Sequence, residues 1–257
     1  MRIQCEFPSP YAPLENQFNH IDRLFIADKT TIHKARNELK IIQLGHLQTV
    51  VKSFKVPHLL NRLIYTFFRA SKAHKSYHNA LKLQKLGILT PQPIALIEYF
   101  SAGLLEKSFF VSEHFAYDCT IRTPLLEDVA DRDAIFKRFA AYTYDLHQKG
   151  VWHLDYSPGN ILIKKTSTGY DFAIVDINRM VFRPITPLQG CENFNKLWAS
   201  DEQLAIMGRE YAYLSKADAS LIISEMQRHN NANKRVKNFK KRLKNLLKGD
   251  VSTPLSP

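Results

Sequence analysis

The stretch that decides the fold is VWHLDYSPGNILI, residues 151–163. It sets His153, Asp155 and Asn160 on a short irregular segment in which Pro158 and Gly159 mark a turn, just before the apolar run Ile161-Leu162-Ile163. Sixteen residues beyond Asn160, Asp176 closes the apolar run FAIV. Between the two lie ILIKK and YDFAIV around a Thr-Ser-Thr-Gly turn, a hairpin signature that brings the start of one strand beside the end of the other. Asn160 and Asp176 are therefore expected to be neighbours. Upstream, residues 131–150 read as a helix: Ile135, Phe136, Phe139, Tyr142, Thr143 and Leu146 share a face, aspartates open it, and Lys149-Gly150 end it.

The spacing of His153, Asp155 and Asn160 resembles the H-x-D-x-x-x-x-N catalytic loop of the protein kinases, with Asp176 in the place of their metal-binding aspartate. Phosphoryl transfer asks a protein for positioned charge: oxygen ligands for magnesium, a lysine on the phosphates, and a carboxylate beside the attacking hydroxyl. Taken singly, none of these residues argues for such chemistry, because Asp and Asn before a strand are ordinary turn residues and a strand lysine usually solvates an edge. The order and the separations carry the inference. They imply an α+β, bilobal protein-kinase-like fold, with a small β-rich N-terminal lobe over residues 1–115 and a larger helical C-terminal lobe over 116–257.

The first half fits that scheme. Residues 39–54, LKIIQLGHLQTVVKSF, hold two β-rich runs around a Leu-Gly-His break, a hairpin whose second strand carries Lys52. Residues 57–86 show apolar positions at helical spacing and close at Gly87, predicting one or two helices. IALIEYF and SFFVSEHF then read as strands either side of a Ser-Ala-Gly turn. The chain beyond about residue 190 reads as mostly helical.

Composition bounds the partners. The 257 residues are 45% hydrophobic and 23% charged, an ordinary globular balance and not that of a disordered chain. A net charge of +12 favours anionic partners such as phosphorylated substrates, an acidic membrane surface or nucleic acid. Nucleic acid ranks last of the three, because the aromatics are not interleaved with the basic residues as a stacking platform. The three cysteines, Cys5, Cys119 and Cys191, lack any metal-ligand spacing and read as reduced thiols. Neither a signal-peptide core nor a run of 18 apolar residues is evident, which predicts a chain that is not exported by that route and does not span a membrane.

Over most of its length the sequence resembles the bacterial lipopolysaccharide core kinases, the Kdo and heptose kinase family. The likeness rests on VVKSFK around Lys52, KLGILTPQPIA, FFVSEHF, HLDYSPGNILI and AIVDINRM. It implies transfer of the γ-phosphate of ATP, with Mg2+, to a Kdo or heptose hydroxyl of the lipid A core glycolipid, by a monomer at the cytoplasmic face of the inner membrane. Carried over, Lys52 is the phosphate-binding lysine, Asp155 the catalytic aspartate, and Asn160 and Asp176 the metal ligands. The backbone of Glu113, His114 and Phe115 would hold adenine, and His153 would be a structural member of the loop.

Several departures qualify the likeness. No glycine occurs over residues 26–40, where a phosphate-covering loop belongs, leaving Lys29, Lys34 and Arg36 as candidate phosphate contacts. No Asp or Glu lies between Ser71 and Ile97 to orient Lys52; the helix offers Ser76 and His78 instead, and either a carboxylate from elsewhere, such as Asp176 before metal binds, pairs with Lys52 or the enzyme is slow or degenerate. Ser157 stands where serine/threonine protein kinases carry a lysine, and Asn178 stands where the glycine of D-F-G would be. The last two changes weaken a protein-kinase assignment, and the missing glycine loop and helix glutamate leave a lipid-binding pseudokinase as an alternative beside another kinase-like phosphotransferase. Finally, NKRVKNFKKRLKNLLKG sets Val236, Phe239, Leu243, Leu246 and Leu247 at helical spacing among Lys and Arg. This is a basic amphipathic helix suited either to an anionic membrane or to packing on the C-terminal lobe. The apolar positions of Pro57–Arg69 are assigned to the core.

Overall fold

The computed structural model describes residues 1–28, 31–34, 37–54, 65–66 and 69–247. It divides into two compact units, one of Met1–Asp118 with Asn160–Met180, the other of Cys119–Gly159 with Val181–Pro257.

The first unit is built on a six-stranded sheet of β1 (Arg2–Glu6), β2 (Thr31–Lys34), β3 (Asn37–Leu44), β4 (Leu47–Phe54), β5 (Pro93–Ser101) and β6 (Leu104–Glu113). The spatial order is β1-β5-β6-β4-β3-β2. The expected β3–β4 hairpin is present: Leu44 pairs with Leu47, and Gly45 turns the chain at φ +56, a left-handed conformation that glycine adopts without steric cost. Its register sets Lys52 opposite Leu39 on one side and Phe110 of β6 on the other. Lys52 is thus in a central strand, not at an edge.

Each face of this sheet is covered. On one, the short helices α1 (Glu15–Asn19) and α2 (Ile21–Ala27) bury Phe18, Ile21 and Phe25 against Ile42, Val51, Ile97 and Phe109. Such side chains contribute roughly 1.5–3 kcal/mol each when fully buried. Lys40, only 7% exposed, finds its partners here: its Nζ donates to the carbonyls of Phe25 and Asp28, both at 2.6 Å, at the negative end of α2. On the other face lies α3 (Lys72–Lys85), which begins at Ser71, whose Oγ accepts from the His74 N–H at 3.0 Å. Tyr77 and Ala73 of α3 pack with Phe54 and Leu96. The part of the expected helix that precedes Arg69 lies largely outside the described residues, as do Lys29, Arg36 and the side chain of Lys34.

The hairpin of β9 (Ile161–Thr166) and β10 (Gly169–Ile174) belongs to this first unit, with Ile161 opposite Ile174. The second unit opens with β7 (Cys119–Thr120) and α4 (Arg122–Leu126), followed by the long α5 (Arg132–Gln148) and β8 (Val151–His153). After β11 (Met180–Phe182) come α6 (Pro187–Gly190), α7 (Asp201–Ser215) and α8 (Ala219–Leu247). Its core is aromatic: Phe139 stacks on Tyr156 with centroids 5.7 Å apart, and Phe194 meets Tyr211 edge-on at 5.7 Å. α5 ends where the sequence predicts, at Gly150 in the left-handed region. The Gly150 carbonyl accepts from the Arg183 N–H at 2.9 Å. No disulfide joins Cys5, Cys119 or Cys191.

Candidate active site

Within the first unit, Lys52 and Asp176 meet. Lys52 Nζ donates to Asp176 Oδ1 at 2.5 Å, with the two side chains 12% and 31% exposed. The same oxygen accepts from Asn178 Nδ2 at 2.6 Å, so the residue that replaces the glycine of D-F-G helps hold the aspartate. Asp176 itself has φ +55, an uncommon conformation for a residue with a Cβ but one that aspartate tolerates. A sparsely populated backbone fixed by two donors on one carboxylate oxygen is the sort of local strain that accompanies functional sites.

The orienting group for Lys52 is therefore Asp176, and not Ser76 or His78. Ser76 is buried and its Oγ donates to the Lys72 carbonyl at 2.9 Å; His78 lies beside Glu6. What α3 does contribute is Asn79, whose Nδ2 donates to the Ile177 carbonyl at 2.7 Å, directly after Asp176. The helix steadies the backbone of the aspartate where a protein kinase's helix would steady the lysine.

Asn160 is brought to the same place by the hairpin, as expected from the sequence: its carbonyl accepts from the Val175 N–H at 2.9 Å, one residue before Asp176. Asn160 and Asp176 offer amide and carboxylate oxygens, the hard donors that Mg2+ takes. Lys52 and Asn178 both donate to Asp176 Oδ1, so a bound cation would share this carboxylate with them. The donor set fits magnesium.

Glu113 ends β6, and His114 and Phe115 follow it. The Glu113 N–H donates to the Gln92 carbonyl and the His114 N–H to the Gln48 carbonyl, both at 2.9 Å. A heterocycle bound along this segment is thus left with its carbonyls and the Phe115 N–H, a narrower set than the whole backbone considered from sequence.

Within the second unit, the loop after β8 is held by buried polar groups. His153, 1% exposed, accepts the Asp155 N–H on Nδ1 at 3.0 Å, which leaves Nε2 as the protonated nitrogen of the neutral ring. The His153 carbonyl accepts from Asn193 Nδ2 at 2.9 Å; Asn193 Oδ1 accepts from His147 Nε2 at 3.1 Å; and His147 Nδ1 accepts from the Tyr211 hydroxyl at 2.8 Å. This chain runs from α7 to the backbone of Asp155. Burial pushes the pKa of His147 down to about 4, with the bond to Asn193 opposing, so the ring is neutral throughout the physiological range.

Lys196 is the site residue that sequence reading misses. Its Nζ lies 3.7 Å from Asp155 Oδ1 and donates to the Leu154 carbonyl. The lysine absent from position 157 is in effect supplied from a one-turn helix some forty residues later, and no local pattern could announce it.

The profile of the lipopolysaccharide kinase (Kdo/WaaP) family matches residues 47–217, which include Lys52, Asp155, Asn160, Asp176 and Lys196. Among solved structures, WaaP in complex with acyl carrier protein superposes with a TM-score of 0.61 at 15% identity, covering 91% of this chain and 99% of WaaP. Human dual specificity testis-specific protein kinase 2 is 26% identical over 229 residues, 82% of this chain, and its rat counterpart is 26% identical over 191 residues. The chain spans about a third of the length of these curated relatives, 35% and 28% respectively. The superposition establishes a protein-kinase-like fold, and with two thirds of its residues matched, the chain belongs to the lipopolysaccharide kinase (Kdo/WaaP) family.

Proposed function

We propose that the protein transfers the γ-phosphate of ATP to a sugar hydroxyl, of Kdo or heptose, in the lipopolysaccharide inner core. The single observation that supports this best is the Lys52–Asp176 pair at 2.5 Å in a chain of this family, because it assembles the phosphate-binding and metal-binding charges. Asp155 takes the proton of the sugar hydroxyl as its oxygen bonds to the γ-phosphorus. The bond from that phosphorus to the bridging oxygen of ADP breaks, and ADP leaves with the electron pair. Mg2+, held by Asp176 and Asn160, would supply charge neutralisation at the phosphates. Lys52 pairs with the α- and β-phosphates, Lys196 offsets negative charge beside Asp155, and His153, Asn193 and His147 act as positioning residues for the loop.

The substrate's place in a bilayer suits α8. Its first part is packed, with Asn230 and Lys234 donating to the Ala199 carbonyl, whereas Val236, Phe239 and Leu243 are 52%, 66% and 47% exposed among lysines and arginines. Leu246 and Leu247 fall outside the described side chains. An exposed apolar stripe flanked by basic groups favours peripheral binding to an anionic membrane surface, at the cytoplasmic face of the inner membrane, over packing on the protein. Among the described residues no helix is long and apolar enough to cross a membrane. An acyl carrier protein, the partner of WaaP in its solved complex, is a second candidate for this basic surface.

The test is magnesium-dependent transfer of labelled γ-phosphate from ATP to Kdo-containing lipid A precursors, comparing the parent with Asp155→Ala and Asp176→Ala. Transfer by the parent and its loss in both variants is expected. No transfer to any core acceptor overturns the assigned substrate, and retained transfer in either variant overturns the assigned chemistry.

A further inference from the structure

Away from the residues assigned to phosphoryl transfer, Glu6, His74 and His78 converge. The two histidines stand one helical turn apart on α3, with ring centroids 4.1 Å apart, and Glu6 is the last residue of the edge strand β1. One carboxylate oxygen and one nitrogen from each ring all lie within 4.8 Å of one another. Glu6 Oε2 is 3.2 Å from His78 Nε2, yet that nitrogen is shielded from solvent and makes no hydrogen bond, so the pair is close without being aligned. A buried ring nitrogen aimed at a carboxylate and satisfied by neither solvent nor protein is a site awaiting an electrophile.

We infer that Glu6, His74 and His78 form a binding site for a divalent cation of the zinc class. Histidines at i and i+4 on one helix face, joined by a carboxylate, provide two nitrogens and one oxygen, the ligand set of open tetrahedral zinc sites. Imidazole selects zinc, copper or nickel over magnesium, so the site is chemically distinct from the oxygen donors Asp176 and Asn160. Zinc–nitrogen bonds of about 2.0–2.1 Å put tetrahedral ligand atoms about 3.3 Å apart. The Glu6 and His78 side chains, 46% and 39% exposed, have the freedom to turn that metal binding would require. His74 also borders a cavity of about 810 Å3 with Ser71, Glu98, Phe100 and Leu105.

Electrostatics point the same way. Burial and the neighbouring His78 lower the pKa of His74, with Glu98 and Glu6 opposing and Lys75 adding to the depression. Bound metal would tie β1 to α3 across some seventy residues of sequence, and α3 is the helix whose Asn79 steadies the backbone after Asp176.

The experiment is titration of the full-length, chelator-stripped protein with Zn2+ by calorimetry, and with Co2+ by visible absorption, for the parent, Glu6→Gln and the double variant His74→Gln/His78→Gln. One zinc per chain is expected in the parent, not displaced by millimolar Mg2+. Binding should weaken at least about tenfold in Glu6→Gln, since loss of a ligand exceeds the effect of losing its outer-shell support, and vanish in the double variant. Cobalt should give the d–d bands of a four-coordinate nitrogen and oxygen site without a thiolate band. Should the double variant fail to fold, the parent's cobalt spectrum and Glu6→Gln decide. Absence of zinc binding in the parent, unchanged affinity in a folded variant, or a thiolate band that assigns the metal to a cysteine each overturns the inference.

Discussion

Acidification should loosen the second unit through one residue, His147. Its ring is buried and neutral, with a pKa lowered from 6.5 to about 4. A histidine whose folded pKa lies below its unfolded value binds its proton more readily in the unfolded chain. Stability from this source is complete above about pH 6.5, declines as pH falls, and stops declining below about pH 4. Linkage between those two values gives about 2 kcal/mol lost between about pH 7.5 and about pH 5, and about 3.4 kcal/mol in full. Other groups titrate over the same range, so the informative quantity is a difference. His147→Gln retains a side chain able to donate to Asn193 but cannot charge. Urea unfolding of the parent and of His147→Gln, followed by an aromatic signal from the second unit, is to be measured at both pH values. The parent should lose about 2 kcal/mol more than the variant on acidification. Parallel losses would show that the ring is not held neutral by burial and that the polar chain from Tyr211 to His153 is misassigned.

Other outcomes follow from the same coordinates. A methyl group at Gly190 would sit 2.1 Å from the Tyr211 hydroxyl and 2.6 Å from His147 Nδ1, so Gly190→Ala should break that hydrogen bond and cost about 2–3 kcal/mol in the same unfolding assay. Gly150→Ala combines a φ of +68 with a Cβ 2.9 Å from the Arg183 carbonyl and should lower the melting temperature by several degrees, with about 1–2 kcal/mol lost. Lys52→Met should reduce kcat for phosphate transfer by about a hundredfold or more while leaving the unfolding midpoint nearly unchanged. Lys196→Ala should leave ATP binding intact, measured by calorimetry, and lower kcat/KM for the acceptor by about tenfold or more; unchanged kinetics would reduce Lys196 to a loop contact.

The parts of this architecture that were legible are those encoded in neighbouring residues. The β3–β4 hairpin with Lys52, the helix ending at Gly150, and the β9–β10 hairpin that sets Asn160 beside Val175 each follow from period, turn chemistry and spacing within some twenty residues. What stayed hidden depends on contacts far apart in the chain. Asp176 was one of several possible partners for Lys52 until the fold selected it, and Lys196 approaches Asp155 from the end of a short 3-10 helix some forty residues further along the chain. β1, α1 and α2 are five to seven residues long, too short for periodicity to stand out, and their apolar residues make sense only against the sheet they cover. Asn79 replaces the missing helix glutamate by grasping backbone, a solution that residue types alone do not specify.

The sheet order carries a consequence for synthesis on the ribosome. Of the described strands β1 is made before the others, but its partner among them, β5, begins at Pro93, and the β9–β10 hairpin of the same unit follows only after the whole of Cys119–Gly159 has been translated. At about 5–20 residues per second, β1 waits roughly 4–17 seconds for its partner. During that interval the chain holds an unpaired strand edge and the uncovered Phe18, Ile21 and Phe25, the kind of exposure that chaperones recognise. Nascent-chain yield should therefore respond to slow codons placed between β1 and β5 more than to the same codons within α8.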